Sequence, residues 1–232
     1  MRRLSMNIEV VKLGLIDYED ALTIQRKLAE LRQAKLINDI LLLLEHPPLI
    51  TMSRRTDEKN ILATKQQLVT EGIVMYDSDR GGDVTYHGPG QIVGYTIFDL
   101  HDHGKDIRGF VRNIENVFVR LLKANYNISA SLNPKHTGVW VNDDKILAIG
   151  LSVKRYVIMH GFAFNVNTKL EHFKFIVPCG IHDKGVTSLS RILGHTMDIS
   201  IIAEQIVSEF CKVFEADCTF RDKDWLTRVI MK

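Results

Sequence analysis

Cysteine is scarce in this chain: there are three among 232 residues, Cys179, Cys211 and Cys218. An odd count at those spacings fits neither a disulfide framework nor a zinc site, so a reducing, cytoplasmic setting is the default expectation. An excess of one charge is also lacking. Lys and Arg total 30 against 28 Asp and Glu, for a net charge of +2. The basic spots Arg2-Arg3, Arg54-Arg55 and Lys154-Arg155 are isolated and form no stripe, which argues against a nucleic-acid partner. Long apolar runs are missing: the longest, residues 40–44, is far below the roughly 20 residues of a membrane span. The basic start Met1-Arg2-Arg3 is not followed by the apolar core of a signal peptide. No internal repeat or Pro/Gly/Ser-rich linker interrupts the chain, so one domain over residues 1–232 is expected.

What is present reads as α+β. Hydrophobic residues make up 45% of the chain, enough for a sizeable core. Apolar positions at helical spacing predict helices over residues 18–36 and 107–125, the second capped by Asp106. Asn60 is placed as the cap of a short helix to residue 68, and Asp198 as the cap of one over 199–214. Residues 40–44, 73–76 and 156–166 read as strands. Residues 138–141 and 146–153 flank the turn-like Asn142-Asp143-Asp144 and predict a hairpin. Strand and helix do not alternate regularly, so a mixed, largely antiparallel sheet flanked by helices follows.

The densest signal is residues 80–91, Arg-Gly-Gly-Asp-Val-Thr-Tyr-His-Gly-Pro-Gly-Gln, followed by the apolar run 92–100. A dinucleotide loop is excluded by context: a strand-like run follows rather than a helix, and Pro89 separates Gly88 from Gly90. Turns between strands explain the glycines in part. They do not explain Arg80, Thr85, Tyr86 and His87 beside them. A ligand wall does, because glycine lets the backbone approach a head group closely. Downstream, Cys179 lies between Pro178 and Gly180, a context that suits a tight turn presenting a thiol. Cys211 and Cys218 read as small apolar residues.

The loop resembles the signature of the octanoyl-[acyl-carrier-protein]:protein octanoyltransferases, the lipoate-protein ligase B family. The match continues through residues 137–141, 145–150, 160–161, 165–167, 178–180 and 186–189, in the family's order. Thr96 and Lys169 depart from the common pattern at positions given no chemical role. No motif is recognised in residues 218–232. The resemblance implies the fold shared by lipoate and biotin protein ligases. It implies lipoyl(octanoyl) transferase activity without a cofactor or metal. The implied donor is octanoyl-acyl carrier protein. The implied acceptors are apo lipoyl domains of 2-oxoacid dehydrogenase complexes and the glycine cleavage H protein.

By the same resemblance Cys179 is the nucleophile and Lys145 its partner. On the residues alone Lys145 reads as a solvated hairpin lysine, and only the resemblance raises it to a catalytic role. The substrate-binding segments carry over to Arg80, Gly81, Gly82, Asp83, Val84, Thr85, Tyr86 and His87; to Ala148, Ile149 and Gly150; and to Gly161, Phe162 and Ala163. His87 and His160 stand open between a structural role and a proton-transfer role. The oxyanion donors are open between N–H groups near Cys179 and near Gly150. His101-Asp102-His103 reads as a solvated loop and His182 as surface, which disfavours a cysteine hydrolase. Two other readings remain: an ATP-dependent lipoate-protein ligase, and a non-catalytic protein that binds lipoyl domains or acyl carriers.

Overall fold

Three strands with almost unbroken burial fix the centre of the molecule, because a strand apolar on both faces needs cover on both. The computed structural model describes residues 6–231; Arg2 and Arg3 lie outside them. In chain order the elements are β1 (Met6–Leu15), α1 (Tyr18–Gln33), β2 (Asp39–Glu45), β3 (Leu49–Ser53), α2 (Lys65–Thr70), β4 (Val74–Ser78), β5 (Thr85–His87), β6 (Gln91–Ile97) and α3 (Ile107–Tyr126). They continue with β7 (Ser131–Leu132), β8 (Val139–Val141), β9 (Asp144–Lys154), β10 (Val157–Asn165), β11 (Gly185–Val186), α4 (Leu189–Leu193), α5 (Ile199–Val213), β12 (Ala216–Arg221) and α6 (Lys223–Ile230).

The large sheet runs β12-β1-β2-β6-β10-β9-β8-β7, with β11 added to β9. Its β12, β1 and β2 are parallel, and every pairing from β2 through β6, β10, β9 and β8 to β7 is antiparallel. A second sheet, β4-β3-β5, carries the glycine-rich segment at its edge. The α+β expectation holds.

One face of the large sheet is covered by α3 and α5 through Ile114, Phe118, Leu121, Ile206 and Phe210, and the other by α1 and α6 through Leu28, Leu226 and Val229. Phe118 is fully buried, with the rings of Phe162 and Phe164 at 4.8 and 5.0 Å. Truncating such a residue costs about 3–5 kcal/mol, so this contact holds β10 in place behind the site. No helix among the described residues is long and apolar enough to cross a membrane.

Three expectations are corrected. Asn60 does not cap a helix but closes the 3₁₀ turn Glu58–Asn60. The following helix is capped by Thr64, whose hydroxyl accepts from Gln67 N–H while the Gln67 side chain accepts from Thr64 N–H, satisfying two otherwise open donors. His101 and Asp102 lie in an exposed turn as expected, but His103 turns inward. His103 Nε2 bonds Asp39 at 2.6 Å, Asp102 pairs with Arg32, and Arg32 donates to Asp39 at 2.8 Å. Cys211 and Cys218 are not separate apolar residues but are joined as a disulfide, the turn from α5 into β12 bringing their Cα atoms to 6.0 Å. The redox inference drawn from cysteine spacing loses its basis with that pairing. Residues 216–230, mostly within the segment where no motif is recognised, form β12, parallel to β1, and α6, which packs on β1 and α1.

Candidate active site

The glycine-rich segment is pinned across β9 by its own polar groups. Gly81 N–H donates to Leu151 O at 2.8 Å, and the Arg80 guanidinium donates to Thr51 O at 2.8 Å and to Thr51 Oγ1. Ser53 Oγ donates to Gly82 O at 2.6 Å. Residues 80–82 thereby roof a cavity of about 50 Å³, partly open to solvent, over β9 and β10. Arg80, Gly81, Gly82, Thr85, His87, Ala148, Ile149, Gly150, Gly161, Phe162 and Ala163 line it, together with Cys179.

Asp83, Val84 and Tyr86 do not line that cavity. Val84 and Tyr86 are buried in a small core beneath the loop, and the Tyr86 hydroxyl meets His172 Nδ1 at 2.7 Å. Asp83 accepts from Asn60 Nδ2 at 2.6 Å. These three support the wall instead of forming it.

Sterics make the cavity's floor specific. A Cβ on Gly161 would overlap the backbone carbonyl of Gly94 on β6. Because a carbonyl in mid-sheet cannot swing away, Gly161→Ala is expected to cost about 3 kcal/mol and to narrow the cavity, read as a lower melting temperature with weakened acyl-chain binding.

Cys179 sits in the 3₁₀ turn Pro178–Gly180 at φ 58°, ψ 18°, a left-handed conformation uncommon for a side-chain-bearing residue. Its N–H donates to Val84 O at 3.0 Å, tying the turn to the glycine-rich segment. That bond removes the Cys179 N–H from the open set of oxyanion donors. Asn60 completes the clamp: its carbonyl accepts from Val177 N–H at 2.7 Å while its amide holds Asp83. Sequence reasoning missed this role, since Asn60 carries no motif and its partners lie 23 and 117 positions away.

Lys145, at the start of β9, is buried (6% exposed), so the solvated hairpin reading fails. Its Nζ lies 3.5 Å from Cys179 Sγ and 4.8 Å from the centre of the Trp140 ring. A buried ammonium needs such partners. Its backbone is fixed by a polar chain. Thr187 N–H donates to Lys145 O at 3.0 Å, and Asn165 Nδ2 to Thr187 O at 3.0 Å. Gln91 Nε2 donates to Asn165 Oδ1 at 2.9 Å, and His87 Nδ1 to Gln91 Oε1 at 2.7 Å. A second cation, Arg80, also feels the thiol: desolvation draws its pKa down, and a Cys179 thiolate draws it back up.

A second, small cavity of about 10 Å³ meets the first at Thr85, Ala148, Ala163 and Cys179. Lys145, Gln91, Asn165, Phe173, Pro178 and Val186 complete its lining. Tyr18, Thr51, Val93 and Tyr95 in the first cavity, and Phe173 in the second, were not singled out from sequence. They converge from separate elements, and no local pattern marks them.

His46 and His87 are neutral. Burial lowers His46 to about 4, its Nδ1–H donating to Ile16 O at 2.6 Å and its Nε2 accepting from the Tyr95 hydroxyl at 2.7 Å. Burial, then the neighbouring His46, lowers His87 to about 3. A base so weak is a structural and acceptor group, not a proton carrier at neutral pH. His160 Nε2 donates to Asp79 Oδ1 at 2.8 Å, and that bond is the main cause lowering Asp79 to about 2.

The signs give a pH prediction. The unfolded state binds protons at His46 and His87 that the folded state refuses, so their contribution is complete above 6.5 and is lost as pH falls toward about 4 and 3. Asp79 loses its contribution only below 3.8. The melting temperature is therefore expected to fall between pH 6.5 and 4.5, more shallowly in His46→Gln; a flat profile over that window contradicts the assignment.

Residues 17–211 match the model of the lipoyl protein ligase A/B catalytic domain, and the chain belongs to that family. Within it, the chain is 51% identical over 225 residues to the octanoyltransferase of Desulforamulus reducens, covering 97% of this chain and 99% of that one. It is 51% identical over 226 residues to the octanoyltransferase of Caldicellulosiruptor saccharolyticus, covering 97% and 96%. The crystal structure of P. falciparum LipL1 in complex with lipoate shares the fold, with a TM-score of 0.76 at 17% identity, covering 97% of this chain and 68% of that one.

Proposed function

We propose that this chain moves an octanoyl group from octanoyl-acyl carrier protein to a lysine of apo lipoyl domains through a thioester on Cys179. The observation that carries the reading is the buried Lys145 Nζ 3.5 Å from Cys179 Sγ, where two cavities meet. The chain is an acyltransferase of protein lipoylation. Its acceptors are lipoyl domains of 2-oxoacid dehydrogenase complexes and the glycine cleavage H protein. The Cys211–Cys218 pair lines neither cavity and takes no part.

In the first half-reaction the Cys179 thiolate attacks the octanoyl carbonyl of the donor thioester. The bond from that carbon to the donor sulfur breaks, and the Lys145 ammonium gives the departing sulfur its proton. The octanoyl chain lies in the first cavity, against Ala148, Ile149, Gly150, Gly161, Phe162 and Ala163, with Gly81, Gly82, Thr85 and His87 beside it. In the second half-reaction a neutral lysine amine attacks the Cys179 thioester. The now neutral Lys145 takes the proton that the amine sheds, the bond to Sγ breaks, and an amide and the thiolate–ammonium pair result. No co-reactant is consumed.

The test is transfer to an apo lipoyl domain read by mass. A gain of one octanoyl group from the loaded carrier without ATP supports the reading. A gain that requires free octanoate and ATP establishes the ligase alternative, and no gain under either condition establishes the binding-protein alternative.

A further inference from the structure

The second cavity continues outward. Phe173, Pro178 and Val186 line it and also line an open groove of about 350 Å³. Lys174, Lys184 and Arg191 stand along that groove against one carboxylate, Glu171. Lys184 is paired with Asp143. Lys174 and Arg191 are exposed, and neither head group has a partner among the described residues. Past Arg191 the groove runs on between Ser190, His195 and Thr196, with no further acid.

Building on the transferase reading, we propose that this groove docks the acceptor: a folded segment presenting its lysine between carboxylates that face Lys174 and Arg191. Reach favours the acceptor over the donor. An acceptor amine extends from its own backbone by only four methylenes, so the acceptor surface must lie within one lysine's length of Cys179. The groove meets that demand, because Pro178, the residue before Cys179, lines both it and the inner cavity. A donor whose acyl group rides on a long arm has no need of so near a surface. Charge agrees. Unpaired cations on a rim attract carboxylates and set the register of a partner. The same cations disfavour a protonated amine at the mouth, so the acceptor lysine arrives in its nucleophilic form.

The test is the double variant Lys174→Glu/Arg191→Glu, both positions being exposed. Binding of labelled apo lipoyl domain is measured by fluorescence anisotropy, a readout that does not depend on turnover. The half-reactions are timed separately: octanoylation of the enzyme by loaded carrier, and discharge of the octanoyl enzyme by apo lipoyl domain or by hydroxylamine. The expected result is a Kd for the lipoyl domain raised about tenfold or more at low salt. Discharge by the domain slows in step, while octanoylation and discharge by hydroxylamine keep their rates. Slower octanoylation with unchanged lipoyl-domain binding assigns the groove to the donor and overturns the proposal. Unchanged binding and rates overturn it as well. Failure of the wild type to form any octanoyl enzyme defeats the transferase reading instead, and the Kd still decides the docking surface.

Discussion

Cys179→Ala is expected to lower octanoyl transfer by on the order of 10⁴-fold or more while leaving the melting temperature close to that of the wild type. The two halves of that result have separate causes. Cys179 Sγ is the thiol shared by both cavities, so its removal leaves no atom on which the acyl group can rest. The fold does not depend on the sulfur. The turn is held by the backbone bond from Cys179 N–H to Val84 O and by the Asn60 clamp, both kept in alanine. Alanine also meets the same left-handed torsion, φ 58°, at the same cost. Glycine relieves that cost, so Cys179→Gly is expected to be equally inactive yet more stable by about 0.5–1 kcal/mol. Transfer assays with calorimetry on the same samples check both; a Cys179→Ala protein with near-normal turnover contradicts the account.

Lys145 gives the second large effect, and its variants separate its charge from its proton transfers. Lys145→Met retains an apolar stem against Trp140 and loses the charge, and a fall in turnover of about 10²–10⁴-fold follows from the loss of a positioned proton donor and acceptor. Lys145→Arg keeps a cation beside Sγ but cannot give up its proton. It is expected to be slow in both half-reactions, because it gives the departing donor sulfur no proton and takes none from the attacking amine. Rapid-quench mass measurements check this: slowed octanoylation and slowed discharge in Lys145→Arg support the proton-carrier role, and a normal rate in either half contradicts it.

Much of this arrangement was legible in the chain because its signals are local. Asp106 and Asp198 cap α3 and α5 through their own side chains. Asn142, at φ 55°, makes the predicted turn between β8 and β9. The caps and that turn need only three or four neighbouring residues. What escaped needs distant partners. β12 finds β1 across the length of the chain, with Met6 opposite Ala216, and no window of sequence contains that pair. Asn60 was given to a helix because Asn caps helices well, but Asp83 and Val177 claim its side chain and carbonyl. Asp83, Val84 and Tyr86 stand inside a motif whose other members face the cavity. Motif membership did not separate wall from support; burial in the small core did. The second cavity and the groove beyond it escaped for the same reason, since β9, β10 and the Pro178 turn meet only in the fold.

The central claim is that the octanoyl group rests on Cys179 between donor and acceptor. The most direct measurement is the intact mass of wild type and Cys179→Ala after mixing with octanoyl-acyl carrier protein, followed by peptide mapping and a chase with apo lipoyl domain. One octanoyl group on the wild type alone, mapped to Cys179 and removed by the chase, is the predicted result. Transfer to the lipoyl domain by Cys179→Ala, or an octanoyl group mapped elsewhere, contradicts it.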